Sequence, residues 1–177
     1  MKTHFSAFSE DHEVRGSTII GYKTAINNKN FAHFFEARGF KEVDPDQWYP
    51  AQNVMDVFND MLEQSHGLMD FVGIGMATAP HLRLPPTVDR HNADQVLTAL
   101  STLPSAMIRS SRPGYLNVER ISKTHCRITA RSAMPDDMLY GIIYALARDF
   151  VQKVSSITLV YPPDGSRRDF RCAQHDV

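Results

Sequence analysis

The sequence has few cysteines, no run of basic residues and no apolar stretch long enough to cross a membrane. Two cysteines in 177 residues do not make the disulfide framework of a small secreted protein. A net charge of −1 without a basic run argues against nucleic acid or an acidic membrane surface as a partner. Residues 1–16 are polar and charged and contain no apolar signal-peptide core. We therefore expect a cytoplasmic protein that does not insert into membranes.

The composition predicts a single domain. A chain of this length with 42% hydrophobic residues can bury one substantial core. Residues 1–15 show no apolar period and are interpreted as a flexible arm or an extra cap. The domain itself is expected to span 16–177, with a helical half at about 16–110 and a sheet half at about 114–174.

The first half contains the clearest helical patterns. Apolar and polar side chains separate onto two faces over Ala51–Gln64, which predicts an amphipathic helix. The segment Leu68–Ala79 is apolar on nearly all sides and predicts a buried helix. A further helix is expected to start at Asn92 or Asp94, and Pro104 should kink or interrupt it because proline cannot continue the hydrogen-bond ladder.

The second half reads strand, strand, helix, strand, strand. Cys126, Ile128 and Ala130 alternate with outward-facing polar residues, which is the period of a half-buried strand. Pro135 precedes a helix with an apolar face. That face comprises Met138, Leu139, Ile142, Ile143, Leu146 and Phe150. Two strands should follow, at Val154–Tyr161 and around Phe170 and Cys172. The pattern predicts an α+β fold with a helical half packed on a four-stranded antiparallel sheet.

Several anchor residues add a family resemblance to this layout. Gly16 and Gly21 bracket a small apolar run, Met107-Ile108 closes a helix before the Pro113 turn, and the crossover helix carries Gly141. In these features the chain resembles the heme nitric-oxide/oxygen-binding (H-NOX) sensor domains and the related 4-vinyl-reductase-like domains. The resemblance covers roughly Gly16 to Cys172 and implies an H-NOX-like fold.

The residues that hold heme in that family are not matched here. The family's Tyr-x-Ser-x-Arg signature falls on Ala130, Ser132 and Met134, so only the serine remains. Counting back from Met107 places Ser101 at the position of the heme-ligating histidine, and serine is a poor axial ligand for heme iron. The nearest histidine is His91. The resemblance therefore implies a sensor fold, and we expect no heme or other cofactor.

The family's cavity lies between the helical half and the sheet, and the resemblance implies a ligand pocket there. The candidate pocket residues are Phe71, Met76, Leu97, Leu100, Ser101, Met107 and Ser132. Eight methionines and ten phenylalanines would supply adaptable walls for a small apolar ligand. The alternative is that these side chains fill the space themselves and are simply core.

Cys126, Cys172 and His175 suggest an alternative zinc site, since thiolates and imidazoles are the usual zinc ligands. His125 is the neighbour of Cys126 in the strand and would point to the opposite face, which argues against a zinc site. We therefore predict no metal site. Serine or cysteine nucleophiles lack a recognisable partner, and the Gly73-Ile-Gly75 pair lacks the third glycine of a dinucleotide site. We expect a protein that is not an enzyme.

These observations lead to three functional hypotheses. The first is a non-catalytic, heme-free sensory domain that receives a small apolar ligand or a partner signal. The resemblance implies an output such as a cyclase, a diguanylate cyclase or a histidine kinase, either fused or separate. The second is a protein-interaction or dimerisation module with no small ligand, for which a homodimer is one form. The third is a divergent heme-based gas sensor. The chain would be either a stand-alone receptor or a sensor portion of a larger protein.

Overall fold

The computed structural model describes residues 5–26, 29–82, 84–89, 92–122, 125–150, 154–160 and 168–174. Its helices are α1 (Gly16–Ile26), α2 (Lys29–Ala37), α3 (Ala51–Gln64), α4 (Phe71–Thr78), α5 (Ala93–Leu100), α6 (Leu103–Met107) and α7 (Asp136–Phe150). Its strands are β1 (Glu13–Arg15), β2 (Trp48–Pro50), β3 (Ile108–Arg109), β4 (Tyr115–Ser122), β5 (His125–Arg131), β6 (Val154–Val160) and β7 (Arg168–Gln174). None of the described helices has both the length and the apolar character needed to cross a membrane.

The four strands of the second half form one antiparallel sheet in the order β4-β5-β7-β6. The predicted α+β architecture is therefore confirmed, with α7 crossing over between β5 and β6. In β5 the alternate residues Cys126, Ile128 and Ala130 are buried and their neighbours are partly exposed. The buried face of β5 thus contributes to the core, which also includes side chains of α7.

The helices α4 and α7 pack against each other at unusually short range. A Cβ atom placed on Gly75 would overlap the carbonyl of Met138 on α7. Conversely, a Cβ atom on Gly141 would overlap the carbonyl of Val72 on α4. The two glycines therefore let the backbones of α4 and α7 come into direct contact.

A second, small sheet was not predicted from the sequence. It has the order β2-β1-β3 and its strands are only two or three residues long, which is too short to show an alternating pattern. The central strand β1 lies within residues 1–15. Upstream of it, Phe5 packs edge-to-face on Phe71 with ring centroids 5.5 Å apart. Within the described part of this segment, Phe5 thus contacts the helical half and Glu13–Arg15 pairs with two other strands.

The helix boundaries follow local signals that the sequence displays. The helix α2 is followed by Gly39, which has a φ of 86°, and the N–H of Phe40 donates to the carbonyl of Phe35 at 2.8 Å. Asn92 caps α5 by accepting from two backbone N–H groups of its first turn. The predicted interruption near Pro104 is confirmed, since α5 ends at Leu100 and α6 begins at Leu103.

Candidate functional site

A cavity of about 40 Å³ lies where the α5–α6 corner meets α7 and the first strands of the large sheet. Its lining side chains come from four separate parts of the chain. They are Leu82, Leu100, Leu103, Pro104, Met107, Ile108, Gly114, Tyr115, Leu116, Arg131, Ser132, Met134, Leu139, Ile142 and Ile143. The cavity therefore lies between the helical half and the sheet half, where the resemblance placed a ligand pocket.

The walls of this cavity are apolar, and the few polar side chains are engaged elsewhere. The hydroxyl of Ser132 accepts a hydrogen bond from the N–H of Met134 at 3.2 Å. The guanidinium of Arg131 lies 4.5 Å from the ring centroid of Phe8, in a cation–π contact. An apolar cavity of this kind favours an apolar occupant because a water molecule there would find few hydrogen-bond partners.

The structure brings three of the seven predicted pocket residues to this cavity. Leu100, Met107 and Ser132 line it. Phe71 is buried elsewhere, with its ring 6.0 Å from that of Phe58 and in contact with Phe5. Whether any of these side chains contacts a ligand remains a prediction.

The other three predicted residues lie outside the cavity lining. Met76 is half-buried on α4, and Leu97 is buried on α5 three residues before Leu100. Ser101 is exposed directly after α5, and its hydroxyl donates to the carbonyl of Thr98 at 2.6 Å. Ser101 lies in the break between the end of α5 at Leu100 and the start of α6 at Leu103, and this break exposes it to solvent.

Sequence reasoning missed most of the α7 and sheet contribution to the cavity. Leu139, Ile142 and Ile143 line it from α7, and all three belong to the apolar face that the sequence predicted for this helix. That signal was present, but it did not show which part of the face lies against α5 and α6. Tyr115 and Leu116 begin β4, and only the fold brings them opposite the end of β5.

Hydrogen bonds and an ion pair connect the N-terminal segment 9–13 to the residues between α6 and β4, beside the cavity. The carboxylate of Asp11 accepts from the N–H of Ser111 at 2.7 Å and from the hydroxyl of Ser9. Hydrogen bonds from Ser9, and then from Ser111, lower the pKa of Asp11 to about 2. Glu13 forms an ion pair with Arg109, whose guanidinium lies 5.0 Å from the centroid of the Trp48 ring.

His12, the neighbour of Asp11 in the chain, is almost completely buried. Its Nδ1 accepts from the N–H of Phe8 at 3.2 Å, and its carbonyl accepts from the N–H of Ala51 at 2.8 Å. Burial lowers the pKa of the imidazole, because the charged form loses its hydration, and the nearby Asp11 partly opposes this shift. The hydrogen bond from Ala51 to the His12 carbonyl anchors the segment to the start of α3.

The described residues do not supply a set of ligands for the alternative zinc site. Within them, no group of three or more His, Cys, Asp or Glu side chains is placed to hold a metal ion. Cys126 is a buried free thiol on β5, and its direct partner across the sheet is the backbone position of Cys172 on β7. His175 lies outside the described residues.

Three solved structures show which fold this is. A double variant of the Tt H-NOX domain matches with a TM-score of 0.70 and 15% identity, over 92% of this chain and 95% of that chain. An oxygen-binding H-NOX domain related to soluble guanylate cyclases, in its oxygen complex, matches with a TM-score of 0.65 and 15% identity, over 91% and 93% of the two chains. A variant H-NOX domain of T. tengcongensis matches with a TM-score of 0.62 and 15% identity, over 90% and 96%.

This likeness extends over nearly the whole chain and shows an H-NOX-like fold. The identity is low, so what the likeness establishes is the fold. No protein-family model matches the chain, and no curated protein matches it. The function must therefore be argued from the cavity and the residues around it.

Proposed function

We propose that this H-NOX-like domain is a non-catalytic sensor that receives a small apolar molecule in this cavity, without heme. The observation that carries the proposal is the apolar cavity at the junction of α5–α6, α7 and the β4–β5 pair. A molecule held there touches both halves of the domain at once. It can therefore bias their relative packing, which is the requirement for a receptor that works by population shift.

The size of the cavity favours a ligand of only a few atoms. A cavity volume of about 10–15 Å³ holds one water-sized molecule, so the 40 Å³ of this cavity has room for roughly three such molecules. Ligand pockets for drug-sized molecules are about 300–1,000 Å³. A diatomic gas or a comparably small apolar molecule fits these walls as they stand. The thioether side chains of Met107 and Met134 line the cavity and can adapt to a somewhat larger guest.

Heme does not fit this set of residues. Among the described residues no histidine or cysteine lines the cavity, and Ser101 faces solvent instead. Met107 and Met134 carry sulfur that is able to ligate iron, but a porphyrin is far larger than 40 Å³. The clamp for propionates is also changed, because Ala130 and Met134 replace a tyrosine and an arginine of the family signature. These three observations support a heme-free sensor.

The proposed output is a conformational signal to a second module. Leu139, Ile142 and Ile143 carry the cavity wall on α7, which packs backbone-to-backbone on α4. A ligand that displaces α7 therefore also displaces α4 and the helical half, because the backbones of the two helices are already in contact. We propose a cyclase, a diguanylate cyclase or a histidine kinase as the module that reads this change.

The experiment that tests ligand reception uses xenon as a probe, since xenon enters dry apolar cavities. Methyl resonances of Leu103, Ile142 and Ile143 should shift with xenon pressure in a saturable way. The Leu100→Phe variant should abolish the shifts because its ring fills the cavity. Leu97→Phe is the matched control, since Leu97 is buried on the same helix but does not line the cavity.

Two outcomes contradict parts of this proposal. Shifts that are absent in the wild type, or that persist equally in both phenylalanine variants, mean that the cavity does not receive ligands. A sharp Soret band after hemin titration and gel filtration contradicts the heme-free part. In that case Met107→Leu and Met134→Leu variants, measured in the same way, locate the axial ligand.

A module that only binds proteins or dimerises is the second candidate. The cavity between Leu100, Met107 and the sheet argues against it, because such a module needs only a filled core. Exposed large apolar side chains are few on the described surface and include Leu68 and Ile121. Sedimentation velocity at several concentrations tests it directly, and a stable dimer unaffected by xenon favours this candidate.

A further inference from the structure

The two cysteines of the chain occupy directly opposite positions on neighbouring strands. In the antiparallel β5–β7 ladder, Cys126 is the Cα partner of Cys172. The ladder runs through six consecutive pairs without a bulge, from His125 opposite Ala173 to Ala130 opposite Arg168. A slip of the register by one residue would place the two cysteines on opposite faces of the sheet. The observed register places them on the same face.

From this register we propose that Cys126 and Cys172 form a reversible disulfide when the protein meets a peroxide, so that the sheet carries a redox-sensitive modification site. Directly opposed residues of an antiparallel pair have Cα atoms about 4.5–5.5 Å apart. Disulfides span Cα distances of about 4.4–6.8 Å, so the backbone already meets this requirement. Cβ atoms of opposed residues are about 4.5–5.5 Å apart, and the lower end of this range meets the disulfide limit of about 4.5 Å.

The chemistry balances with one equivalent of hydrogen peroxide. The sulfur of one cysteine, as its thiolate, attacks a peroxide oxygen, the O–O bond breaks, and the departing hydroxide takes a proton to become water. The resulting sulfenic acid is attacked by the second sulfur. The S–O bond breaks, a second water leaves with the thiol proton, and the S–S bond forms. Two thiols are oxidised and the peroxide is reduced to two waters.

The position of Cys126 restricts which oxidant can act. Cys126 is only 7% exposed, so a small neutral peroxide has better access than a folded protein or a bulky disulfide. The bridge would close the loop 126–172, which contains α7 and its cavity-lining residues. Oxidation would thus tie β5, whose end borders the cavity, to β7. The inference does not depend on the proposed ligand, since it rests on the strand register alone.

The test treats the reduced 177-residue chain with one equivalent of hydrogen peroxide and then alkylates it under denaturing conditions. We expect a monomer that takes up no alkylating reagent, has lost two hydrogen atoms in mass and yields one cross-linked peptide containing both cysteines. The Tm should rise by about 5–10 °C, and dithiothreitol should reverse every change. The Cys172→Ser and Cys126→Ser variants, with folding checked by circular dichroism, should lose the cross-link and the Tm rise.

Three results would overturn the proposal. The first is a folded protein whose thiols stay fully reactive towards the alkylating reagent after peroxide treatment. The second is oxygen addition to one sulfur without a cross-link, and the third is a cross-link between molecules only. If Cys126→Ser does not fold, Cys172→Ala supplies the comparison, because it leaves the buried thiol of β5 in place.

Discussion

The contact between α4 and α7 gives a prediction whose size follows from the structure. Gly75→Ala adds one methyl group where the carbonyl of Met138 already occupies the space, and the new carbon would also lie 3.0 Å from the backbone N of Ile142. Both neighbours are backbone atoms and cannot rotate away. Normal contact begins at about 3.4 Å, so α7 must move away from α4 by roughly 1 Å or more.

The expected cost is the balance of two effects. Overpacking of this kind costs typically about 1–3 kcal/mol, and a rigid backbone neighbour places the cost near the upper end. Alanine in a helix interior is favoured over glycine by up to about 1 kcal/mol, which offsets part of the loss. We expect Gly75→Ala to lower the free energy of unfolding by about 2 kcal/mol and the Tm by about 5 °C.

Gly73→Ala is the matched control on the same helix. The nearest neighbours of a Cβ atom at Gly73 all belong to the side chain of Asp70, which caps α4 by accepting from the Gly73 N–H at 2.8 Å. Disturbing that cap costs about 1 kcal/mol and the alanine returns a similar amount, so the net change should be close to zero. Urea unfolding followed by circular dichroism, with unchanged m-values, measures both variants.

The reciprocal site sharpens the test. A Cβ atom on Gly141 would overlap the carbonyl of Val72 and lie 3.0 Å from the N of Met76, so Gly141→Ala should cost about as much as Gly75→Ala. Once one methyl group has separated the helices, the other is partly accommodated. The double variant should therefore cost less than the sum of the two. The reasoning is refuted if Gly75→Ala is as stable as the wild type, or if the two costs simply add.

Three further variants test other contacts. Because burial lowers the pKa of His12, the native state resists protonation of this side chain. The free energy of unfolding should therefore be highest above about pH 6.5 and should decrease as the pH falls below it. In urea unfolding between about pH 7.5 and 5, this decrease should be smaller for His12→Asn, which keeps an acceptor for the N–H of Phe8. Asn92→Ala removes the cap of α5 and should cost about 1 kcal/mol, whereas a cost of zero contradicts the capping geometry. Ile143→Ala enlarges the cavity and should lower the free energy of unfolding by about 2–5 kcal/mol, and added benzene should restore part of this loss. The control is Ile19→Ala, because Ile19 is equally buried but does not line the cavity, and its stability should not change with benzene.

The elements with long, regular patterns were predictable from the sequence. The bounds of α3 agree with the prediction, and the apolar positions of β5 and α7 were identified by their periods of two and 3.6 residues. The short strands of the small sheet were missed because two or three residues contain no period. One of these strands is β2, in which Trp48 pairs with Arg15 and Tyr49 pairs with Val14 of β1. The pairing is made by backbone hydrogen bonds, which the pattern of side chains does not predict.

The α+β class and the order of the large-sheet elements along the chain follow from the sequence alone, because they depend on local periodicity. Which apolar residues line the cavity depends instead on how the elements pack. Leu97, Leu100 and Ser101 are neighbours in the chain, yet one is core, one lines the cavity and one is exposed, since the end of α5 directs each to a different environment. The same holds for Cys126 and Cys172, which only the strand register places opposite each other. Contacts between distant segments depend on how the elements pack, and no single segment encodes them.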